Sequence, residues 1–353
     1  MNATHALARP EIVSMQAYAH AVWLPHLIRL HANEAPWRPA GDQTLAGLNR
    51  YPEPQPAELA ARLAELFGVD DGRLLVTRGS DEAIDLLSRI FLRAGQDAIL
   101  QCTPTFGMYQ VAARIQGADV VSLALERRAH WQVDSDQVIA AWRPGIKLVY
   151  LCSPNNPTAN LIHPDAIHAI CAKLSGKAMV IIDEAYIEWS GTPSVAQFLD
   201  RYETLAIVRT LSKAHALAGA RCGALIGRPE LIALARQVIP PYAIAQPTIE
   251  AALRALAPDA IAVSRERLSN LLAERAYLAA GLAKARGIEH VWPSDTNFLM
   301  IDCTDPQRIM DKCIGGGFIV RDLRGNAALK NSLRITVSTR EHNQRLLASL
   351  ESE

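Results

Sequence analysis

Short, almost continuously apolar runs recur through the middle of the chain, at Leu74–Thr77, Ala98–Cys102, Ile146–Cys152, Ala178–Asp183, Leu205–Thr210 and Cys222–Ile226. Between them lie stretches in which apolar residues return at helical spacing. After the first run, Ile84, Leu87 and Phe91 keep that spacing, with Ser80 as the candidate N-cap. Strands that are apolar on both faces and alternate with helices predict an α/β fold, built on a parallel sheet covered on both sides.

The flanks differ from this middle section. Residues 1–35 are mixed and turn-rich, with Pro10, Pro25 and Pro36 breaking any long helix, and they read as an arm ahead of a large domain over residues 36–245. After Pro247 the texture turns helical, interrupted at Pro258, and Ile261, Leu268, Leu271, Leu278 and Leu282 fit one buried helical face. Two strand-like runs (Glu289–Trp292 and Asn297–Asp302), a helix, further runs at Phe318–Arg321 and Leu333–Val337, and a last helix follow. Residues 246–353 are therefore expected to form a second, smaller α/β domain.

Composition removes several function classes. The 353 residues carry 36 lysines and arginines against 36 aspartates and glutamates. Without a clustered basic excess there is no footprint for nucleic acid or for an anionic membrane. No apolar run approaches the ~18 residues of a membrane-spanning helix, and the start lacks a basic segment leading into an apolar one. A soluble cytoplasmic protein is the expectation. The six cysteines are scattered without zinc-site spacing, so reduced, buried thiols and no metal site are expected.

Only seven basic residues are lysines, at 147, 173, 177, 213, 284, 312 and 330. Six sit on polar helical, turn or loop segments or just before a strand. Lys213 instead follows the apolar run Leu205–Thr210 by three residues and precedes the small, apolar stretch 214–220. Open α/β sheets bind ligands at the carboxyl ends of their strands, and desolvation there lowers an amine's pKa towards nucleophilicity. A lysine snorkelling at the sheet edge is the plain alternative.

Asp183 ends the apolar run 178–183, where a buried carboxylate needs a cation or strong donor. A magnesium ion would require a phosphate loop, and GxxxxGK[ST] occurs nowhere in the chain. That leaves a protonated heterocyclic nitrogen such as the pyridinium of pyridoxal phosphate (PLP), which pairs with an aspartate and a covalently linked lysine. Gly79, Ser80 and Asp81 open a helix after a strand, where free backbone N–H groups can hold a phosphate, provided that the side chains of Asp81 and Glu82 turn away. Ser212 and Arg221, beside Lys213, could serve the same anion, and an asparagine in Ser153–Pro157 could donate to a ring oxygen.

The ordered motifs Tyr51-Pro-Glu-Pro-Gln-Pro56, Arg78-Gly-Ser-Asp-Glu82, Pro104-Thr-Phe-Gly-Met-Tyr109, Cys152-Ser-Pro-Asn-Asn-Pro-Thr158, Asp183-Glu-Ala-Tyr-Ile187, Arg209-Thr-Leu-Ser-Lys213, Arg221-Cys-Gly223 and Leu333-Arg-Ile-Thr-Val337 resemble those of the histidinol-phosphate aminotransferases, fold-type I PLP enzymes. The resemblance implies a large domain with a mostly parallel seven-stranded sheet covered by helices, plus a smaller α/β C-terminal domain. It implies that Lys213 carries the PLP and then moves the substrate's Cα proton, and that Asp183 holds the pyridinium proton. Asn156 and Tyr186 would contact the ring's phenolic oxygen, and Phe106 would stack on the ring. Gly79, Ser80, Asp81, Ser212 and Arg221 would bind the phosphate, with Tyr51 arriving from the neighbouring subunit of a homodimer. Arg334, helped by Arg321, Tyr18 and Asn33, would bind the glutamate carboxylate in one half-reaction and the phosphate of histidinol phosphate in the other.

Phe106, Ala159, His215 and Ser338 depart from the family pattern, which commonly has tyrosine, glycine, phenylalanine and glycine there. The implied reaction is amino transfer between L-histidinol phosphate and 2-oxoglutarate in histidine biosynthesis. The rival readings are a PLP decarboxylase of a phosphorylated amino acid such as threonine phosphate, and an aminotransferase of aromatic amino acids. A PLP-bearing regulator is disfavoured, because no basic helix precedes the large domain.

Overall fold

A computed structural model describes residues 2–24 and 26–351; Pro25, one of the prolines expected to break the N-terminal segment, lies outside them. All six apolar runs form strands: β1 (Leu74–Thr77), β2 (Ala98–Thr103), β4 (Ile146–Cys152), β5 (Met179–Asp183), β6 (Leu205–Thr210) and β7 (Gly223–Gly227). A seventh, β3 (Asp119–Ala124), has no continuous apolar run because it lies at the sheet edge with every residue at least partly exposed. The order is β1-β7-β6-β5-β4-β2-β3, with β7 antiparallel to both neighbours and the other pairings parallel.

The continuous apolar runs follow from burial on both faces. Alternate residues such as Val149, Leu151, Val180 and Ile182 point into one core, and Leu148, Tyr150, Met179 and Ile181 into the other. One core is covered by α3 (Ala57–Phe67) and α7 (Pro164–Leu174), the other by α4 (Gly79–Phe91), α5 (Met108–Ile115) and α8 (Pro229–Val238), and α6 (Ser135–Ala141) packs on α7. Ser80 lies inside the first turn of α4, and Arg78 occupies the N-cap without a side-chain bond. The expected serine cap is therefore replaced by a helix that begins at Gly79, whose φ of +74° turns the chain out of β1.

The segment 1–35 is anchored at its start. Helices α1 (Ala3–Leu7) and α2 (Pro10–Val13) pack against α8, Leu7 and Ala8 join the core, and Arg9 N–H donates to the Ile90 carbonyl at 2.9 Å. Among the described residues beyond α2 there is no helix or strand up to α3.

Beyond the large sheet, α9 (Gln246–Ala255) and α10 (Pro258–Leu282) lead to an antiparallel sheet of β8 (Ile288–Val291), β9 (Phe298–Cys303), β10 (Arg321–Asp322) and β11 (Ser332–Thr336), ordered β10-β11-β9-β8. α11 (Pro306–Gly315) and α12 (Arg340–Glu351) cover it, around a core that includes Leu299, Ile301, Ile309, Leu333, Ile335 and Leu346. On α10 only Leu278 and Leu282 are buried, while Ile261, Leu268 and Leu271 remain half-buried. The face expected along the whole helix is thus fully covered only at its C-terminal end. All six cysteines are free and buried. Among the described residues no helix is long and apolar enough to cross a membrane.

Candidate active site

The parallel strands β2, β4, β5 and β6 deliver their carboxyl ends to one edge of the large sheet, and a cavity of about 720 Å³ opens there. Phe106 follows β2, Asn156 follows β4, Asp183 ends β5 with Tyr186 just beyond it, and Ser212 and Lys213 follow β6; all six line the cavity. β10 and β11 supply Arg321 and Arg334 from the other side.

Asp183 is 2% exposed. Tyr109 Oη donates to its Oδ2 at 2.7 Å, and Ala185 N–H donates to its Oδ1 at 3.0 Å. The carboxyl is raised to about 6 on balance: burial pushes it up most, these two donors pull it down, and the charges of Asp81 and Glu184 add to the rise. A carboxylate so placed favours a cationic partner in the cavity. Lys213 faces the open cavity with its Nζ 5.7 Å from the centre of the Tyr186 ring. Its pKa is lowered, chiefly by desolvation and then by Arg334 and Arg221, against the opposing pull of Asp81 and Asp183. The amine is therefore easier to free of its proton than a solvated one.

Four groups form an anion cradle beside it. The N-terminus of α4 presents unpaired backbone N–H groups at Ser80 and Asp81. Arg221 Nη1 lies 3.4 Å from Ser212 Oγ, and Thr210 Oγ1 donates to that oxygen at 2.8 Å. Gly79 allows the close approach, since a Cβ there would sit 2.9 Å from Arg221 Nη2. Glu82 turns away as expected, accepting from Arg78 N and Nε. Asp81 does not: its Oδ2 accepts from Arg221 Nη2 at 3.1 Å, because the guanidinium reaches across the helix start to the nearest carboxylate.

Arg321 and Arg334 are direct cross-strand partners in the β10–β11 ladder, so their side chains leave the same face. Arg334 is lowered in pKa by burial and by the charge of Arg321; its guanidinium lies 5.0 Å from the centre of the Phe298 ring, and its Nη1 donates to Asn156 Oδ1. Two adjacent guanidiniums repel each other, and an anion relieves that repulsion.

Eleven of the residues expected from the sequence line this one cavity: Ser80, Asp81, Phe106, Asn156, Asp183, Tyr186, Ser212, Lys213, Arg221, Arg321 and Arg334. Gly79 is buried directly behind them. Tyr18, Asn33 and Tyr51 do not line it. Tyr18 is 70% exposed, Asn33 is exposed with a φ of 54°, and Tyr51 stacks on Tyr242 at 4.6 Å. Sequence reasoning passed over Tyr109, the donor to Asp183, although it closes the quoted motif Pro104–Tyr109; its place three residues after Phe106, at the start of a helix, was the available signal.

A carboxylate for a ring nitrogen, an amine of lowered pKa and a phosphate cradle in one cavity fit PLP. Among the described residues no group of histidine, cysteine, aspartate or glutamate side chains could hold a metal ion.

The family model for class I and II aminotransferases matches residues 31–350. The histidinol-phosphate aminotransferase of Stenotrophomonas maltophilia is 41% identical over 351 residues, covering 98% of this chain and 96% of its own. That of Escherichia coli is 41% identical over 355 residues, covering 98% and 97%. Among solved structures, the histidinol-phosphate aminotransferase of Sinorhizobium meliloti in complex with pyridoxal-5'-phosphate superposes with a TM-score of 0.78 at 23% identity, covering 86% of this chain and 82% of that one. At that identity the structural likeness shows the fold.

Proposed function

We propose a residue-level account of catalysis from one premise: this chain belongs to the class I and II aminotransferases and, within them, to the histidinol-phosphate aminotransferases. It is a PLP-dependent enzyme that moves the amino group between L-histidinol phosphate and 2-oxoglutarate in histidine biosynthesis. The observation that carries the account is the convergence of Lys213, Asp183, the α4 cradle and the Arg321–Arg334 pair on one cavity.

PLP, when bound, supplies an electron sink for the pair released as the substrate's Cα–H bond breaks. Lys213 would hold the cofactor covalently and, once displaced by the incoming amine, take the Cα proton; its lowered pKa provides the free base. Asp183 would hold the proton on the ring nitrogen, with Asn156 and Tyr186 at the ring's phenolic oxygen and Phe106 against its face. Backbone N–H groups of Gly79, Ser80 and Asp81, with Ser212 and Arg221, would take the phosphate. Arg334 and Arg321 would anchor whichever anion arrives, the carboxylate of glutamate or the phosphate of histidinol phosphate, so that one pocket serves two unlike substrates.

Tyr18, Asn33 and Tyr51 belong to a segment with many exposed apolar side chains, including Val22, Leu27, Ile28, Leu30 and Leu45. Such a patch on one stretch of chain suits an interface. It supports a homodimer in which Tyr51 completes the neighbouring site, with Tyr18 and Asn33 at the substrate mouth. The division into an arm (1–35), a large domain (36–245) and a small domain (246–353), and a cytoplasmic location, complete the reading.

The deciding assay offers histidinol phosphate, phenylalanine, tyrosine and threonine phosphate side by side with 2-oxoglutarate. Glutamate should form fastest from histidinol phosphate. Carbon dioxide release from threonine phosphate without a keto-acid acceptor, or faster transfer from an aromatic amino acid, would contradict the assignment.

A further inference from the structure

Asp183 is gripped from behind by a residue that does not line the cavity. Tyr109 lies in the first turn of α5 with no exposed surface. Its ring is stacked on Tyr150 of β4 at 4.6 Å and 7°, and the Phe106 ring meets it edge-on at 5.7 Å. These contacts fix the phenol without help from its hydroxyl, and the hydroxyl points at Asp183 Oδ2. With Ala185 N–H on Oδ1, each carboxylate oxygen has one donor from the protein, which leaves its other lone pair for the cavity.

The other titratable groups around this carboxylate are Asp81 from α4, Tyr150 and Cys152 from β4, Glu184 and Tyr186 beyond β5, and Lys213 beyond β6. Burial, then the charge of Asp183, raise the Tyr109 phenol well above its ordinary value. Tyr109 therefore stays a donor throughout the working range of pH and does not exchange its proton with Asp183.

We propose that Tyr109 is a positioning residue, whose phenol orients Asp183 and weakens its basicity so that the shared proton stays on the ring nitrogen of the cofactor. The proposal rests on the PLP reading above. The proton lies between two bases, the Asp183 oxygen and the ring nitrogen. Removing the donor to the oxygen moves it towards the carboxyl, and the ring becomes a weaker electron sink. A hydrogen bond to a charged group is strong enough to move that balance about ten- to a hundredfold. Tyr150 stacks on the same ring without bonding Asp183, so it provides the packing control.

The test loads wild type, Tyr109→Phe and Tyr150→Phe with PLP labelled with ¹⁵N in the ring and follows that nitrogen by NMR across pH, together with steady-state kinetics. In wild type and Tyr150→Phe the signal should be that of a protonated ring. In Tyr109→Phe it should move towards neutral pyridine, with kcat down about ten- to a hundredfold and KM for histidinol phosphate little changed. Incorporating 3-fluorotyrosine at position 109, a stronger donor of nearly the same size, should move the signal the opposite way, and this keeps the test open should Tyr109→Phe fold poorly. An unchanged ring signal in both altered proteins at position 109, or an equal shift in Tyr150→Phe, would overturn the proposal. A neutral ring in the wild type would overturn the pairing with Asp183 itself, and is told apart by appearing without any substitution.

Discussion

Asp183 is the residue at which stability and function pull in opposite directions. Unfolded, its carboxyl ionises near 3.9, but burial at the end of β5 pushes it up to about 6 in the folded chain. Between those values the unfolded chain has lost a proton that the folded chain retains, so stability falls as pH rises through this window and stays lowered above it. A shift of about two units corresponds to about 3 kcal/mol. In cofactor-free protein, Asp183→Asn should flatten the decline between about pH 4 and pH 6, and should gain on wild type by up to that amount at pH 7. Denaturant midpoints at a series of pH values check this, and parallel curves for the two proteins would contradict it. Ala159 shows a smaller conflict. It stands where the family commonly has glycine and holds a φ of 69°. The left-handed conformation costs about 1–2 kcal/mol, partly offset because the methyl is fully buried beside Tyr186, Trp189 and Phe298. The sequence marks the position as unusual, but only the backbone angle gives the reason.

At the scale of elements, what the chain made legible depended on burial. The strands buried on both faces announce themselves as apolar runs, and the edge strand β3 does not, because every one of its residues is at least partly exposed. The antiparallel course of β7 was also unreadable: Cys222–Ile226 is as apolar as the parallel strands of the same sheet, and direction is set by the short return from β6 through the Lys213 loop. That return places Arg221 over the start of α4, and Gly223 permits it. A Cβ at Gly223 would lie 2.5 Å from the Arg209 carbonyl oxygen and 2.8 Å from the Gly79 carbonyl carbon, both backbone atoms that cannot swing aside. Gly223→Ala should therefore destabilise the protein by about 1–3 kcal/mol and weaken PLP retention, since it separates β7 from the phosphate cradle. Thermal unfolding with a cofactor-release assay would show this, and unchanged values in both would refute it. The motif Arg221-Cys-Gly223 could be seen in the sequence; the steric reason for its glycine could not.

For the whole molecule, the balance of 36 basic and 36 acidic residues hides a division of labour. Of these, Arg221, Arg321, Arg334 and Lys213 line one cavity, and on the proposed reading Arg221 would serve the cofactor's phosphate, Arg321 and Arg334 the substrate anions, and Lys213 the covalent chemistry. The sequence located these residues because their motifs are local. It gave no way to see that Tyr18 and Asn33 lie off the cavity of their own chain, whereas for Tyr51 the family resemblance already implied a place in a neighbouring subunit's site. The protein should sediment at twice 38.5 kDa; a monomer that is fully active would remove the shared site. The central claim is that Lys213, alone among the seven lysines, carries the cofactor. Borohydride reduction of the PLP-loaded enzyme followed by peptide mass mapping tests it most directly. The account predicts the added pyridoxyl mass on the peptide containing Lys213, and its loss when excess histidinol phosphate is supplied before reduction. The mass on any of the other six lysines, or on none, would contradict it.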